Sequence, residues 1–171
     1  MPLFLDTCAL AKRYLREGRS TSRMKEITGR PKRWGGLFVS SFVEIEVVSA
    51  IAKEAREYGN PMLRPQLLRE VPQRVDGFLR DYASGAFDVI PQSDEIVRAG
   101  IGTLRNEPHH QIGAADAIHL ASAVDVALKP NQKLVFVTAD RGLYDAAREH
   151  GLAVYNPNTQ HEAALEAMVG L

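Results

Sequence analysis

Five short apolar runs, each trailed by a stretch of helical character, constrain this chain more than any other feature. PLFLD (2–6), GLFVS (36–40), FDVI (87–90), KLVFVTAD (133–140) and LAVYN (152–156) read as buried strands. Helical patterns fall near 7–16, 20–28, 41–58, 62–84, 93–106, 114–128, 141–150 and 160–169. Strands that alternate with helices return in parallel, so the order predicts an α/β chain with a parallel sheet covered by helices on both faces. Asn60-Pro61 separates two helices, and Pro72 is expected to kink or divide the fourth. The segment from Asn106 to Gly113, with Pro108, His109 and His110, reads as an exposed loop. With 171 residues, no repeat and no linker, residues 1–171 are expected to form a single domain.

In a parallel sheet, ligands bind beyond the carboxyl ends of the strands, so acids placed there carry weight. Asp6 ends the first strand in FLDTCA, Asp140 ends a later one in FVTADRG, and Asp116 opens the helix GAADAIHLASAV. Each has a structural explanation by itself: Asp6 and Asp116 as helix N-caps, Asp140 as a turn residue. Together, carboxylates at strand ends and helix starts without matching lysines would crowd negative charge. Two carboxylates at about 4 Å repel by roughly 4 kcal/mol at an effective dielectric near 20, a penalty that a cation removes. Carboxylates suit Mg²⁺ or Mn²⁺, and no Cys/His spacing suggests zinc. The chemistry that follows is phosphoryl transfer by an oriented, acidified water.

Formal net charge is zero, which argues against a generally basic nucleic-acid binder and directs attention to local charge. Lys12, Arg13, Arg16, Arg19, Arg23, Lys25, Arg30, Lys32 and Arg33 face only Glu17 and Glu26 in the same stretch, with Trp34 directly after. This is a solvated face or a phosphate-contacting patch, and Arg30 and Arg33 are its candidate RNA contacts. The lone cysteine, Cys8, permits no disulfide within the chain and reads as a small buried residue. MPLFLDTCAL lacks the features of an export signal and no apolar run reaches the length of a membrane span, so a cytoplasmic protein without membrane association is expected.

FLDTCALAKRY, SSFVEIEVVSAIAK, AADAIHLASA and FVTADRGLYDAAREHGLAVYNP, in this order and spacing, resemble the successive motifs of PIN-domain proteins, particularly the VapC-like ribonuclease toxins. The resemblance covers nearly the whole chain. It implies a three-layer α/β/α sandwich with a central parallel sheet and a Mg²⁺- or Mn²⁺-dependent endoribonuclease activity on RNA. It also implies a VapB-like antitoxin partner and a homodimer. Asp6, Asp116 and Asp140 match the family's aspartates, and Thr7 and Thr138 match the hydroxyl residues often found beside them. His119 matches a position with no carried catalytic role and reads as a buried, hydrogen-bonded histidine. His109 and His110 receive no role, and residues 60–85 carry no assignable motif.

A glutamate in SSFVEIEVVSAI matches the family's acidic helix position, and two compete for it. Glu44 and Glu46 point about 200° apart on a helix. Ser41 and Glu44 have the spacing of a capping box, which gives Glu44 a structural role. Glu46 is therefore assigned to the metal or to orienting water, alongside Asp6, Asp116 and Asp140. Two rival functions remain: a PIN-like interaction module without significant catalysis, and an aspartate-site phosphatase. The latter fits poorly, because Asp6-Thr7-Cys8 lacks a second aspartate.

Overall fold

The computed structural model describes residues 1–16, 18–130 and 132–170, without the side chains at 18 and 19. The described strands are β1 (Leu3–Leu5), β2 (Leu37–Ser40), β3 (Asp88–Ile90), β4 (Val135–Val137) and β5 (Ala153–Tyr155). The described α-helices are α1 (Thr7–Leu10), α2 (Gly18–Thr28), α3 (Val43–Glu57), α4 (Arg64–Ala83), α5 (Asp94–Asn106), α6 (Ala114–Ala127), α7 (Arg141–Glu149) and α8 (Glu162–Val169). Single 3-10 turns at Ala11–Arg13 and Pro31–Trp34 complete the described helical structure.

All four strand pairings are parallel, in the order β3-β2-β1-β4-β5. The first strand is therefore central. Leu3, Leu5, Leu37, Val39, Val135, Val137 and Tyr155 pack on one face with side chains from α1 to α4 and α8. Phe4, Phe136 and Val154 pack on the other against Leu120, Ala123 and Val126 of α6 and Leu143, Ala146 and Ala147 of α7. This alternation along a doubly covered sheet makes the chain a three-layer α/β/α sandwich.

Two elements depart from the sequence reading. β3 is the sheet edge, and its Asp88 and Val89 are exposed rather than buried. Pro72 does not divide its segment, because α4 runs unbroken from Arg64 to Ala83. Pro72 is exposed, so water can satisfy the carbonyl that its missing N–H leaves unpaired. The segment without a motif serves the packing of the fold. Arg74 on α4 donates to Tyr14 O and to Glu54, and Asp81 accepts from Arg13 and the Tyr14 hydroxyl. These bonds fasten α4 to the chain leaving α1.

Because the chain builds β1, β2 and β3 outward on one side and then resumes with β4 on the other, the strand order reverses between β1 and β4. Such a reversal leaves a crevice at the carboxyl ends of the strands. Asp6 follows β1 and Asp140 follows β4, one on each side of it.

Candidate active site

Asp6 occupies the corner between β1 and α1 and is 2 % exposed. Its Oδ1 accepts from the Ala9 amide at 2.8 Å, an N-cap bond. Its Oδ2 accepts from the Thr138 hydroxyl at 2.7 Å and from the Cys8 thiol at 3.0 Å. The Thr138 oxygen in turn accepts from the Asp140 amide at 3.1 Å. One hydroxyl thus ties the acid after β1 to the backbone of the acid after β4. Burial pushes the Cys8 thiol well above its usual range and the Asp6 charge adds to this, so Cys8 acts as a donor rather than a nucleophile.

Asp140 caps α7, its Oδ1 accepting from the Leu143 amide at 2.8 Å. Asp116 is not the N-cap of α6. Gly113 is, and Asp116, in the first turn, reaches back to the Gly113 amide at 2.8 Å through Oδ2. All three aspartates therefore rest one oxygen on an amide at a helix N-terminus, where the helix dipole favours negative charge. For Asp116 and Asp140 the other oxygen meets no hydrogen-bond donor among the described residues.

The two glutamates separate as the helical period requires. Glu46 Oε2 accepts from the Thr7 hydroxyl at 2.5 Å and lies 2.6 Å from His119 Nε2. The other ring nitrogen of His119 lies 2.8 Å from Ser40 Oγ at the end of β2, and the ring is 1 % exposed. A buried histidine thus spans β2 and α3 and fixes one oxygen of Glu46. Glu44 instead lines an apolar groove with Phe42, Ile45, Val48, Val75 and Leu79. The capping box does not form: α3 is capped by Phe42 without a side-chain bond, and Ser41 Oγ accepts from the Gln92 amide at 3.2 Å. The helix begins two residues past Ser41, too late for that geometry.

The PIN domain family profile matches residues 3–149. The chain belongs to the PIN domain family. Comparison with curated protein sequences finds no match. Among solved structures, FitAcB from Neisseria gonorrhoeae is similar at 18% identity and a TM-score of 0.54, covering 92% of this chain and 99% of that one. PAE2754 from Pyrobaculum aerophilum is similar at 17% identity and a TM-score of 0.55, covering 99% of this chain and 90% of that one. These likenesses show the fold. PIN domains are generally nucleases that use divalent metals.

The donors of this PIN domain fit such an ion. Burial, chiefly, raises the Asp116 carboxyl above its ordinary range, and the charges of Asp140 and Glu46 raise it further. Burial likewise raises Asp6, against the hydrogen bonds from Cys8, Thr138 and Ala9. Glu46 runs the other way. Burial pushes it up, but the hydrogen bonds from His119 and Thr7 and the charge of His119 outweigh that and lower it. The set is hard, oxygen-only and mutually repulsive, as expected of ligands to Mg²⁺ or Mn²⁺. Its carboxylates surround the crevice without closing to the spacing of one coordination sphere. Among the described residues, three potential ligand atoms come within 4.8 Å of one another only at His109, His110 and Glu149.

Arg30 and Arg33 are not brought to the acids. Arg30 precedes and Arg33 lies within the 3-10 turn before β2, beside the start of β1, where a Cβ on Gly35 would lie 3.7 Å from Pro2 N. That is the amino end of the sheet. Arg30 pairs with Glu26 at 3.4 Å, and Arg33 pairs with Glu166 and sits over the Trp34 ring. Arg13, Arg16 and Arg23 also have partners within the chain, while Glu17 and the Arg19 side chain lie outside the described residues. Replacing Arg30 and Arg33 together with Ala is therefore expected to leave the salt dependence of RNA binding unchanged. A slope flattened by roughly one phosphate contact per arginine would instead make them RNA ligands.

Proposed function

We propose that this PIN domain is a Mg²⁺- or Mn²⁺-dependent endoribonuclease, the toxin of a VapBC-like pair. The observation that carries the reading is the convergence of Asp6, Glu46, Asp116 and Asp140, from four separate segments, around one strand-end crevice. Asp116 there is coupled electrostatically to both Asp140 and Glu46. These four residues would hold the ion. When bound, it supplies the acidity that converts water to a nucleophile and neutralises charge on the phosphate.

The protein's share is positioning. Thr7 and His119 retain one oxygen of Glu46, which leaves the other for metal or water. Thr138 holds Asp6 and the backbone of Asp140 in fixed relation. The N-termini of α6 and α7 add partial positive charge next to the acids, which favours an incoming phosphate.

The choice of RNA, the antitoxin and a homodimer rest on the likeness of the four motifs to VapC-like toxins. The groove between α3 and α4, with Phe42, Ile45 and Leu79 exposed, supports a macromolecular partner. Among the described residues no helix is long and apolar enough to cross a membrane.

Controlled bacterial expression of the wild type and an acid-site variant, with mapping of new RNA 5′ ends, tests the reading. Growth arrest with defined new ends in the wild type alone is expected. Identical RNA profiles would favour an interaction module, and phosphate release from a small phosphoester would favour a phosphatase. Copurification with the product of the neighbouring gene tests the antitoxin separately.

A further inference from the structure

The loop between α5 and α6 meets the carboxyl-terminal half of α7 through residues that play no part in the acid site. His109 Nε2 lies 3.5 Å from Glu149 Oε2, and His110 Nε2 lies 3.0 Å from the same oxygen. The two imidazoles are side by side, their centroids 4.1 Å apart. Ligands at about 2.0–2.1 Å from a tetrahedral Zn²⁺ stand about 3.3 Å from one another, close to both histidine-to-glutamate distances, and all three donor atoms lie within 4.8 Å of one another.

A second observation is independent of that spacing. His110 is 5 % exposed, yet its Nε2 is buried without a hydrogen-bond partner. Glu149 approaches it out of line for a hydrogen bond. A buried ring nitrogen 3.0 Å from a carboxylate yet out of line for a hydrogen bond is under-satisfied, and a cation bound by both groups would satisfy it. The ring belongs to a loop whose next residue, Gln111, has φ of 27°, a backbone state that side chains disfavour and that a staple would help hold. Glu107 adds a further oxygen 3.8 Å from His110 Nε2 and is itself held by His150 at 3.2 Å.

We propose that His109, His110 and Glu149 form a second metal site, selective for Zn²⁺ or a similar imidazole-seeking ion over Mg²⁺. Two nitrogens and one carboxylate match the donor preference of zinc, whereas Mg²⁺ prefers oxygen and retains its water. The site would clamp the loop that leads into α6 onto α7, and so join the elements that bear Asp116 and Asp140. It does not depend on the nuclease reading.

Calorimetric titration of untagged, metal-free protein with Zn²⁺ in excess Mg²⁺ tests this, with Asp116→Asn as the control for zinc held at the acid site. A single zinc equivalent is expected, retained in Asp116→Asn and weakened by more than about tenfold in His109→Ala and in Glu149→Gln. Both replaced side chains are largely exposed, so neither variant endangers folding. Bound zinc should also raise Tm by about 5–10 °C at a hundredfold excess over Kd. Absence of zinc uptake under excess Mg²⁺, uptake that survives both substitutions, or uptake lost in Asp116→Asn would each overturn the site.

Discussion

Asp116→Asn is expected to lower metal-dependent RNA cleavage on the order of a thousandfold while leaving the metal-free protein as stable as the wild type or more so. The two effects share one cause. The carboxylate sits half-buried near Asp140 and Glu46, and its raised pKa means that the folded state disfavours its charge. A folded-state pKa above the unfolded value makes stability fall as pH rises from the usual carboxylate range through the raised value. Asparagine removes that penalty, and its carbonyl can still accept from the Gly113 amide, so the start of α6 is preserved. What it removes is a charge that the proposed site needs to hold its ion, and a bound metal is worth several kcal/mol of transition-state stabilisation. Denaturant titration without metal and cleavage of a defined RNA with Mn²⁺ read the two halves. Full cleavage by the variant would sink the assignment of Asp116. Asp6→Asn is a poorer test, because an amide in that corner would disrupt the bonds to Thr138 and Cys8.

The second large effect separates the glutamates. Glu46→Gln is expected to abolish most cleavage and to cost about 1–2 kcal/mol of stability at neutral pH, the scale of a hydrogen bond to a charged group. The folded-state pKa of Glu46 is depressed, so its contribution is present above the ordinary glutamate range and is lost as pH falls through the depressed value. The glutamine variant should therefore lose less stability on acidification than the wild type. Glu44→Gln should change stability by no more than about 0.5 kcal/mol, since no capping bond is lost, and should leave turnover intact. A dead Glu44→Gln beside an active Glu46→Gln would reverse the assignment.

The fold was legible because each strand is a compact apolar run and the helices between carry their own stop signals. Every expected strand core is present, and Asn60-Pro61 does separate α3 from α4. What was not legible depended on neighbours distant in sequence. Pro72 persists within α4 because its face is open to water, which helix propensity alone does not register. The Ser41/Glu44 spacing suggested a cap, but Ser41 is engaged by Gln92 across the loop after β3.

At the site, the residue types at strand ends were readable, while their support was not. His119 was expected to be buried and bonded, but nothing in DAIHLA indicates that its partners are Ser40, Thr7 and Glu46. His109 and His110 lacked metal spacing because the third donor, Glu149, comes from α7, far along the chain. Glu26 beside Arg30 was visible in the sequence, but nothing there reveals that Glu166, far along the chain, pairs with Arg33.

The position of β1 in the middle of the sheet has a consequence for biosynthesis. Its neighbour β4 and the Thr138 hydroxyl that fixes Asp6 lie far downstream, Thr138 by 132 residues. At about 5–20 residues per second, roughly 7–26 s separate the translation of Asp6 from that of Thr138. Throughout that interval the nascent chain has no crevice, because one wall of it has not been made. A crevice of this design cannot hold its acids in place until Thr138 and Asp140 have been made.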